Sequence, residues 1–553
     1  MTHYLPAFRF YRGAGVLCLS LMILLFSQAI GAQAIAPEDV VPAYSSSFIL
    51  INDVPKIAKT IKDSTAWQEI LEELKQEIDK DPGEMQDMKK FIAANIWDII
   101  AMSTNRIAGA HVKPTDMDQF SLIIDFGSIT AVLEASQKIM NLIGDEGKEN
   151  IIPNAGTYLD IPYGIVKSNG RFAFLDNLFV YTPDQESLEA IINVYLKEEP
   201  SIADDPKFNM AVSKVNPEGE VLIYANPELS NPVTQALTKN NAMKLFGAGD
   251  VKASAMKISL LSLTRDIDIY MYSGYSESVM AGMFSQSVPL LSPHVIPASN
   301  ADVFYAFSAG NLVSVWERLM DSAGKEMSED EYLGMQNAIS QFEMGKGINI
   351  KNDILDSLTG EVGVAFGMPE SAENMDGPGS LVQRGIMIFL GVRDKDKVNM
   401  SIDRLFSDQP MEQTQYKGMD IRYIQALSTP EGPMGYMFAD NLIILSNMKR
   451  LMAVIDEENP LASSTDFANL GTRLSEPSNG IFYINLQGIM SRIPAPDNQL
   501  SKALFLQDMG IIGGSMSFDG EGFKTRITGN QAKSWLDIAG NLVSMSIKSE
   551  MKD

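Results

Sequence analysis

An internal duplication constrains the fold of this chain more than any other feature of its sequence. A segment that opens with Val41-Pro42-Ala43-Tyr44 and a strand-like run recurs about 255 residues later at Ile296-Pro297-Ala298-Ser299. Later landmarks recur in the same order, at offsets of about 255 to 264 residues. A repeat of this length defines two structural units of one architecture. We therefore predict a signal segment at residues 1–34, a first repeat domain at 35–288 and a second at 289–553.

The clearest correspondence between the repeats is an Asp-Asn pair between two apolar runs. Asp176 and Asn177 form this pair in the first repeat, and Asp440 and Asn441 form it in the second. Both residue types tolerate the left-handed backbone that a tight hairpin needs, so we predict structural turns at these four positions. Adjacent strands mixed with helices, rather than strictly alternating, favour an α+β fold of two tandem copies. Each copy is predicted to be a mainly antiparallel sheet with helices packed on it.

Helix start signals follow each hairpin. Thr182, followed by Pro183, is the predicted N-cap in the first repeat, and Ser446 is the predicted N-cap in the second. The proline-containing stretch Ser285–Asn300 is predicted to be a linker between the repeats.

Residues 1–34 have the pattern of a secretory signal peptide. Arg9 and Arg12 form a positive amino-terminal region, residues 16–26 are almost wholly apolar, and Ala32-Gln33-Ala34 is a small-x-small cleavage site. The apolar stretch is shorter than the roughly 20 residues that span a bilayer. We expect a periplasmic or extracellular protein with no transmembrane segment after signal removal. Retention of the segment as an amino-terminal anchor stays open.

Three short runs resemble a known family. The opening Val41-Pro42-Ala43, the run Asp356–Val362 and the hairpin Asp440-Asn441-Leu442 are similar to those of a secreted bacterial family known as domain of unknown function 3352. The resemblance implies an envelope or extracellular location and carries over no functional residue. The first repeat departs from the pattern, because Ala101–Arg106 stands where the second repeat has Thr359-Gly360-Glu361.

The chain is strongly acidic, with 44 Lys and Arg against 70 Asp and Glu and a formal net charge of −26. A field of that sign repels phosphate backbones, so nucleic acid is not an expected partner. Apolar residues make up 45% and charged residues 21% of the chain, which is typical of a globular protein with a full core.

Residues able to carry out chemistry are scarce. Signal removal takes away the only cysteine, Cys18, and leaves His111 and His294 as the histidines. No Gly-x-Ser-x-Gly elbow and no phosphate-binding glycine loop occurs. The sequence therefore predicts no catalytic residue, no cofactor and no metal ligand. The acidic runs Glu326–Glu331 and Asp456–Glu458 are typical of solvated turns and helix ends.

Three hypotheses for function follow. The first is a non-catalytic binding or scaffolding protein of the bacterial cell envelope, with an unknown envelope protein as partner. The second is a carrier or chaperone for an apolar ligand, a lipid or lipoprotein, with a groove near Met280, Met283 and Phe284. The third is a hydrolase in which two or three carboxylates with raised pKa converge in one cleft. The lack of a reactive constellation favours the first, and an enzyme is not expected.

Overall fold

The computed structural model describes residues 34–64, 68, 72, 105–113, 120–128, 130–131, 151–166, 170–215, 219–229, 251–262, 266–272, 289–368, 385–429, 431–456, 459–471, 478–492 and 510–530. Contacts between α carbons divide the chain into two compact units. Unit 1 comprises Met1–Thr234, Lys252–Ser262 and Ser534–Asp553, and unit 2 comprises Gln235–Val251 and Leu263–Lys533.

The described part of unit 1 has nine strands, and every pairing between them is antiparallel. The strands are β1 (Ser47–Ile51), β2 (Arg106–His111), β3 (Ser121–Asp125), β4 (Ile151–Tyr158), β5 (Ile161–Val166), β6 (Arg171–Leu175), β7 (Leu178–Thr182), β8 (Val221–Ala225) and β9 (Ala253–Ile258). Their order across the sheet is β9–β8–β1–β2–β3–β7–β6–β5–β4.

Helices α1 (Val54–Asp63), α2 (Gln185–Tyr195) and α3 (Pro206–Ser213) accompany this sheet. Apolar side chains alternate along β1, so Phe48 and Leu50 share the buried face while their neighbours are half-buried. Phe208 of α3 packs edge-on against Phe48 and Tyr224, with ring centroids 6.0 and 5.0 Å apart. These aromatic contacts attach α3 to the centre of the sheet.

The described part of unit 2 has eleven strands, again all antiparallel. The strands are β10 (Ile267–Tyr272), β11 (Val303–Ser308), β12 (Leu358–Phe366), β13 (Ile386–Val392), β14 (Glu412–Tyr416), β15 (Met419–Thr429), β16 (Gly432–Ala439), β17 (Leu442–Asn447), β18 (Gly480–Asn485), β19 (Ile511–Phe518) and β20 (Gly522–Asn530). Their order is β10–β20–β19–β18–β11–β12–β13–β17–β16–β15–β14.

Six helices belong to the described part of unit 2. They are α4 (Leu312–Glu326), α5 (Glu329–Lys346), α6 (Lys395–Leu405), α7 (Met448–Asp456), α8 (Thr465–Gly471) and α9 (Leu486–Arg492). The buried face of the sheet is aromatic at its centre, where the rings of Phe304 and Phe389 stack with centroids 5.6 Å apart.

The strands of the two units share one pairing order. Strands β1 to β9 pair with one another in the same order as β11 to β19, so each strand of unit 1 has a counterpart ten positions later. The prediction of an α+β fold built from two tandem copies is therefore confirmed.

Strand β10 comes from the first repeat of the sequence and pairs with β20 in unit 2, with Ile267 opposite Ile527. Side chains reinforce this pairing, because Arg526 Nε donates to Asp268 Oδ1 at 2.9 Å and Thr528 donates to Asp266 at 2.6 Å. The repeat boundaries predicted at residues 34 and 288 describe the duplication in the sequence and stay predictions.

The predicted linker Ser285–Asn300 is wrong for its described residues, 289–300. Ser292 and Ile296 are fully buried in unit 2, and Pro297 forms an isolated bridge with Pro460. In unit 1, Pro42 forms the same bridge with Ser201. Prolines are common in linkers, but here they belong to the opening segment of the second repeat, which packs on its own unit.

Candidate functional site

The predicted hairpin residues lie at the ends of paired strands. Asp176 and Asn177 connect β6 to β7, and Asp440 and Asn441 connect β16 to β17. Asp176 has φ 55° and Asp440 has φ 49°, so both aspartates adopt the left-handed conformation. The Tyr195 hydroxyl donates to Asp176 Oδ2 at 3.0 Å. Burial, followed by this bond, raises the pKa of Tyr195 to about 12.

Asn177 and Asn441 differ in environment although they occupy equivalent turns. Asn441 is exposed, whereas Asn177 is 4% exposed. The Asn177 amide accepts a hydrogen bond from Ile35 N at 2.7 Å and donates to Ile35 O at 3.0 Å. It also donates to Asp125 Oδ1 at 2.7 Å. In unit 1 the hairpin therefore holds the segment that follows the predicted signal; Ala34 is exposed, and Ala32 lies outside the described residues.

The opening segment of unit 2 is held by another residue, Glu361. Its buried carboxylate accepts hydrogen bonds from Leu291 N at 2.9 Å and Ser292 N at 2.8 Å. Glu361 belongs to the Thr359-Gly360-Glu361 run that distinguishes the second repeat in sequence. That run therefore has a structural role, which the sequence did not reveal.

Both predicted helix caps are wrong by one or two residues. Asp184, not Thr182, caps α2 by accepting from Ser187 N at 2.9 Å. Asn447, not Ser446, accepts from Arg450 N at 3.0 Å at the start of α7. Thr182 is the last residue of β7 and Ser446 lies on β17, and both side chains are fully buried.

A group of buried charges lies at the end of β12 in unit 2. Asp302 Oδ2 accepts from Arg492 Nη1 at 2.6 Å and from Met368 N at 2.7 Å. The same Arg492 nitrogen donates to Met368 O at 3.1 Å. Asp302 and Arg492 together therefore satisfy the backbone where β12 ends.

Arg450 supports the neighbouring peptide in the same way. Its Nη2 donates to Gly367 O at 2.8 Å, and its Nε lies 3.7 Å from Glu431 Oε2. Burial lowers the pKa of the Arg450 guanidinium, and Glu431 and Asp302 oppose that shift. The four charged groups balance one another, which is the arrangement of a structural network rather than of an open anion site.

The remaining candidates include the two histidines and the acidic run at the start of α5. Ser47 Oγ lies 2.7 Å from His111 Nδ1, and His294 is exposed. Glu331 closes a capping box with Ser328 at the start of α5. Among the described residues no group of three or more His, Cys, Asp or Glu side chains is placed to hold a metal ion. Met280, Met283 and Phe284 lie outside the described residues.

The hydrolase hypothesis requires carboxyl groups with raised pKa that converge in one cleft. In the described part of the chain, the shifts resolved for carboxyl groups all lower the pKa, and they occur at Asp184, Asp204, Glu331, Asp408 and Asp456.

In the described part of unit 2, helix α5 has exposed apolar side chains, and α4 and α5 together we call the helical pair (residues 312–346). No residue of α5 is buried, although this helix has 18 residues. Leu333, Phe342 and Met344 are 47%, 41% and 76% exposed. Tyr332 of α5 lies against Gly324 of α4, so the two helices contact each other. The helical pair is therefore the candidate binding surface.

The family of the chain follows from its sequence match. A family model described as "Protein of unknown function (DUF3352)" matches residues 132–382 and 369–550. The chain belongs to the DUF3352 family. The predicted resemblance is thereby confirmed; the model matches the chain twice, and the first matched region extends across the predicted repeat boundary at residue 288. No curated protein matches the chain.

Solved structures that match the chain include crystal forms of TP0453. Form III is 12% identical, with a TM-score of 0.24, and covers 44% of this chain and 81% of that chain. Form IV is 11% identical, with a TM-score of 0.25, and covers 46% and 88%. TM-scores this low support no inference from TP0453 to this DUF3352 protein. In the described residues, no helix combines the length and apolar character that a membrane span requires.

Proposed function

We propose that the protein is a non-catalytic binding or scaffolding protein of the bacterial cell envelope, periplasmic or extracellular, with the helical pair as its binding surface. One observation carries this proposal: on α5, Leu333, Phe342 and Met344 are exposed to solvent, and no residue of this 18-residue helix is buried. Leu333 and Met344 are eleven residues apart and so lie on one face of the helix, and exposed apolar side chains are typical of an interaction site.

The charge of the helical pair indicates the kind of partner. Residues 312–346 contain seven acidic and three basic side chains, a net charge of −4. Three of the acids, Glu329, Asp330 and Glu331, lie in the first turn of α5. A complementary partner presents apolar side chains surrounded by basic ones. We therefore propose an envelope protein with a basic, partly apolar face.

The roles of the charged side chains support a non-catalytic protein. Asp302, Arg450 and Arg492 bond to the backbone at the end of β12, and Glu361 bonds to the opening segment. Each of these four charged side chains serves the fold. A second candidate, a carrier for a lipid or lipoprotein chain, is favoured by the same exposed apolar side chains.

The proposal is tested by photo-crosslinking a partner to the helical pair of the secreted chain. A photo-crosslinking amino acid replaces Met344, and the protein is incubated with envelope extract. We expect a protein partner to be cross-linked. The yield of the cross-linked product should fall about tenfold in the double variant Leu333→Ser/Phe342→Ser, which corresponds to a loss of roughly 1.4 kcal/mol of binding free energy. Leu427→Ser is the matched control, because Leu427 is 45% exposed on β15 of the same unit.

The outcomes separate the two candidates. Cross-linking to a lipid or a lipoprotein acyl chain instead of a protein face would favour the carrier. An equal yield in the double variant and in Leu427→Ser would remove the helical pair as the binding surface.

A further inference from the structure

We infer that the signal is cleaved between Ala34 and Ile35, and that the α-ammonium group freed on Ile35 becomes a structural cation of unit 1, held by Asn177 beside Asp125 and Glu38. The inference rests on the secretory signal of the proposed function. It concerns the folded amino terminus and is independent of the helical pair.

The geometry places the Ile35 nitrogen at a polar site already built by distant residues. Ile35 N lies 2.7 Å from Asn177 Oδ1, and the Asn177 amide in turn lies 2.7 Å from Asp125 Oδ1. Asn177 and Asp125 are 4% and 2% exposed. Ala34 is exposed, so the bond that joins it to Ile35 leads from the surface into this site.

Glu38, three residues along the chain from Ile35, has an acceptor that lacks a donor. Glu38 Oε2 is buried and has no hydrogen-bond partner among the described residues. Its other oxygen, Oε1, lies 3.5 Å from Arg106 Nη1, and Arg106 Nε donates to Asp125 Oδ2 at 2.9 Å. A buried carboxylate oxygen without a partner is costly, and an ammonium group supplies three donors where a peptide nitrogen supplies one.

The charges around the site also favour a further cation. Lys257 of β9 is attracted electrostatically to Glu220 and Glu38, although burial lowers the pKa of its ammonium group. The acidic side chains of this group are Glu38, Asp39, Asp125 and Glu220, and the basic ones are Arg106 and Lys257, which gives a formal charge of −2. One added ammonium brings it to −1. Partly buried charges are most stable when balanced.

The chemical step is peptide-bond hydrolysis by a signal-processing protease. Water adds its oxygen to the Ala34 carbonyl carbon, the bond to the Ile35 nitrogen breaks, and Ala34 leaves as a carboxylate. The Ile35 nitrogen takes up protons and becomes an ammonium group. Its ordinary pKa of about 7.7–8.0 leaves it mainly charged at neutral pH.

The second repeat provides an internal comparison. Its opening segment lies in the middle of the chain, where no terminus forms, and there the equivalent Asn441 is exposed. The segment is held by Glu361, which accepts two backbone N–H groups. Among the described residues, an asparagine holds the opening segment in the repeat that follows the predicted signal and not in the other repeat.

Sequencing of the secreted protein from its amino terminus tests the cleavage position. We expect Ile-Ala-Pro-Glu, beginning at Ile35. A first residue at any other position would overturn the inference while leaving export intact. A protein that keeps residues 1–34 would overturn both the inference and the proposed export signal.

Thermal unfolding of two matched chains tests the role of the amine. One chain begins at Ile35, released from a cleavable fusion, and the other keeps Ala34 before it. We expect the Ile35 chain to have a Tm about 2–4 °C higher. The difference should disappear with Asn177→Ala, or with the milder Glu38→Gln if the first variant does not fold, and persist with Asn441→Ala.

Equal Tm values for the two chains would overturn the structural role of the amine, and so would a difference that survives Glu38→Gln. Capture through the helical pair is measured in the same preparations. Its loss there would count against the proposed function alone.

Discussion

The two repeats hold equivalent opening segments with different polar groups. In unit 1 the segment is bound by Asn177, whose side chain accepts from the N–H group of Ile35 and donates to its carbonyl oxygen. The same side chain donates to Asp125. In unit 2 the corresponding segment is bound by the Glu361 carboxylate, which accepts two backbone N–H groups. The backbone topology was duplicated, but the buried polar contacts differ.

Packing explains why the polar contact of unit 1 cannot form in unit 2. Asp125 faces Leu178 at the start of β7, and Gly391 faces Leu442 at the equivalent point of β17. A Cβ atom at Gly391 would lie 1.9 Å from Thr359 Oγ1, so no side chain fits there. Buried backbone groups must be bonded, but any side chain that reaches them can do so.

The largest expected effect on stability comes from replacing a residue of unit 2 by its counterpart in unit 1. Ser46 and Asp302 are equivalent, since each precedes the central strand and accepts from an asparagine N–H. Asp302→Ser leaves Arg492 without its buried carboxylate and should lower the free energy of unfolding by about 3–5 kcal/mol. Urea unfolding measures this loss. Addition of Arg492→Met should recover part of it; no recovery would mean that the pair is not coupled.

Glu361→Gln tests the carboxylate that holds the opening segment of unit 2. The amide keeps one acceptor oxygen but loses the charge, so we expect a loss of about 1.5–3 kcal/mol, the contribution of a hydrogen bond to a charged group. Urea unfolding of Glu198→Gln, at an exposed position, is the control and should show little change. Equal losses in the two variants would contradict the role of Glu361.

Gly391→Ala tests the steric difference between the repeats. The added methyl group meets Thr359 Oγ1, and overpacking of this kind costs about 1–3 kcal/mol. The cost should shrink in a Thr359→Ala background, where the nearest atom is absent. A cost that is the same in both backgrounds, measured by thermal unfolding, would place the strain elsewhere.

The smallest expected effect concerns pH. Burial raises the pKa of the Asp184 carboxyl, but hydrogen bonds from Lys113 and Ser187 outweigh this and lower it. Stability from Asp184 is therefore present above its unfolded pKa of about 3.9 and is lost as pH falls through the lower folded value.

The cap at the equivalent helix of unit 2 is the uncharged Asn447. Asp184→Asn should therefore reduce the loss of stability between about pH 7 and pH 3, by less than about 1 kcal/mol because the pair is partly exposed. Unfolding at both pH values, with Asp440→Asn as the control, measures this difference. An unchanged pH dependence would show that Asp184 does not titrate as expected.

Local features of this chain were predictable from sequence. The Asp-Asn pairs lie at hairpin ends because Asp176 and Asp440 tolerate positive φ, which is a property of single residues. The helix caps were less predictable, because Thr182 and Ser446 are capping residues by type but are buried on strands by their neighbours. The role of Glu361 could be suspected only from its difference between the repeats.

The sequence by itself determined the duplication, the α+β class and the turns, because these depend on the spacing of apolar and turn residues along the chain. The tertiary structure decided which polar group holds each opening segment and where β10 pairs. Asn177 contacts Ile35 across 142 residues, and Asp268 contacts Arg526 across 258. Such contacts depend on which backbone groups are buried together, and local sequence patterns do not encode that.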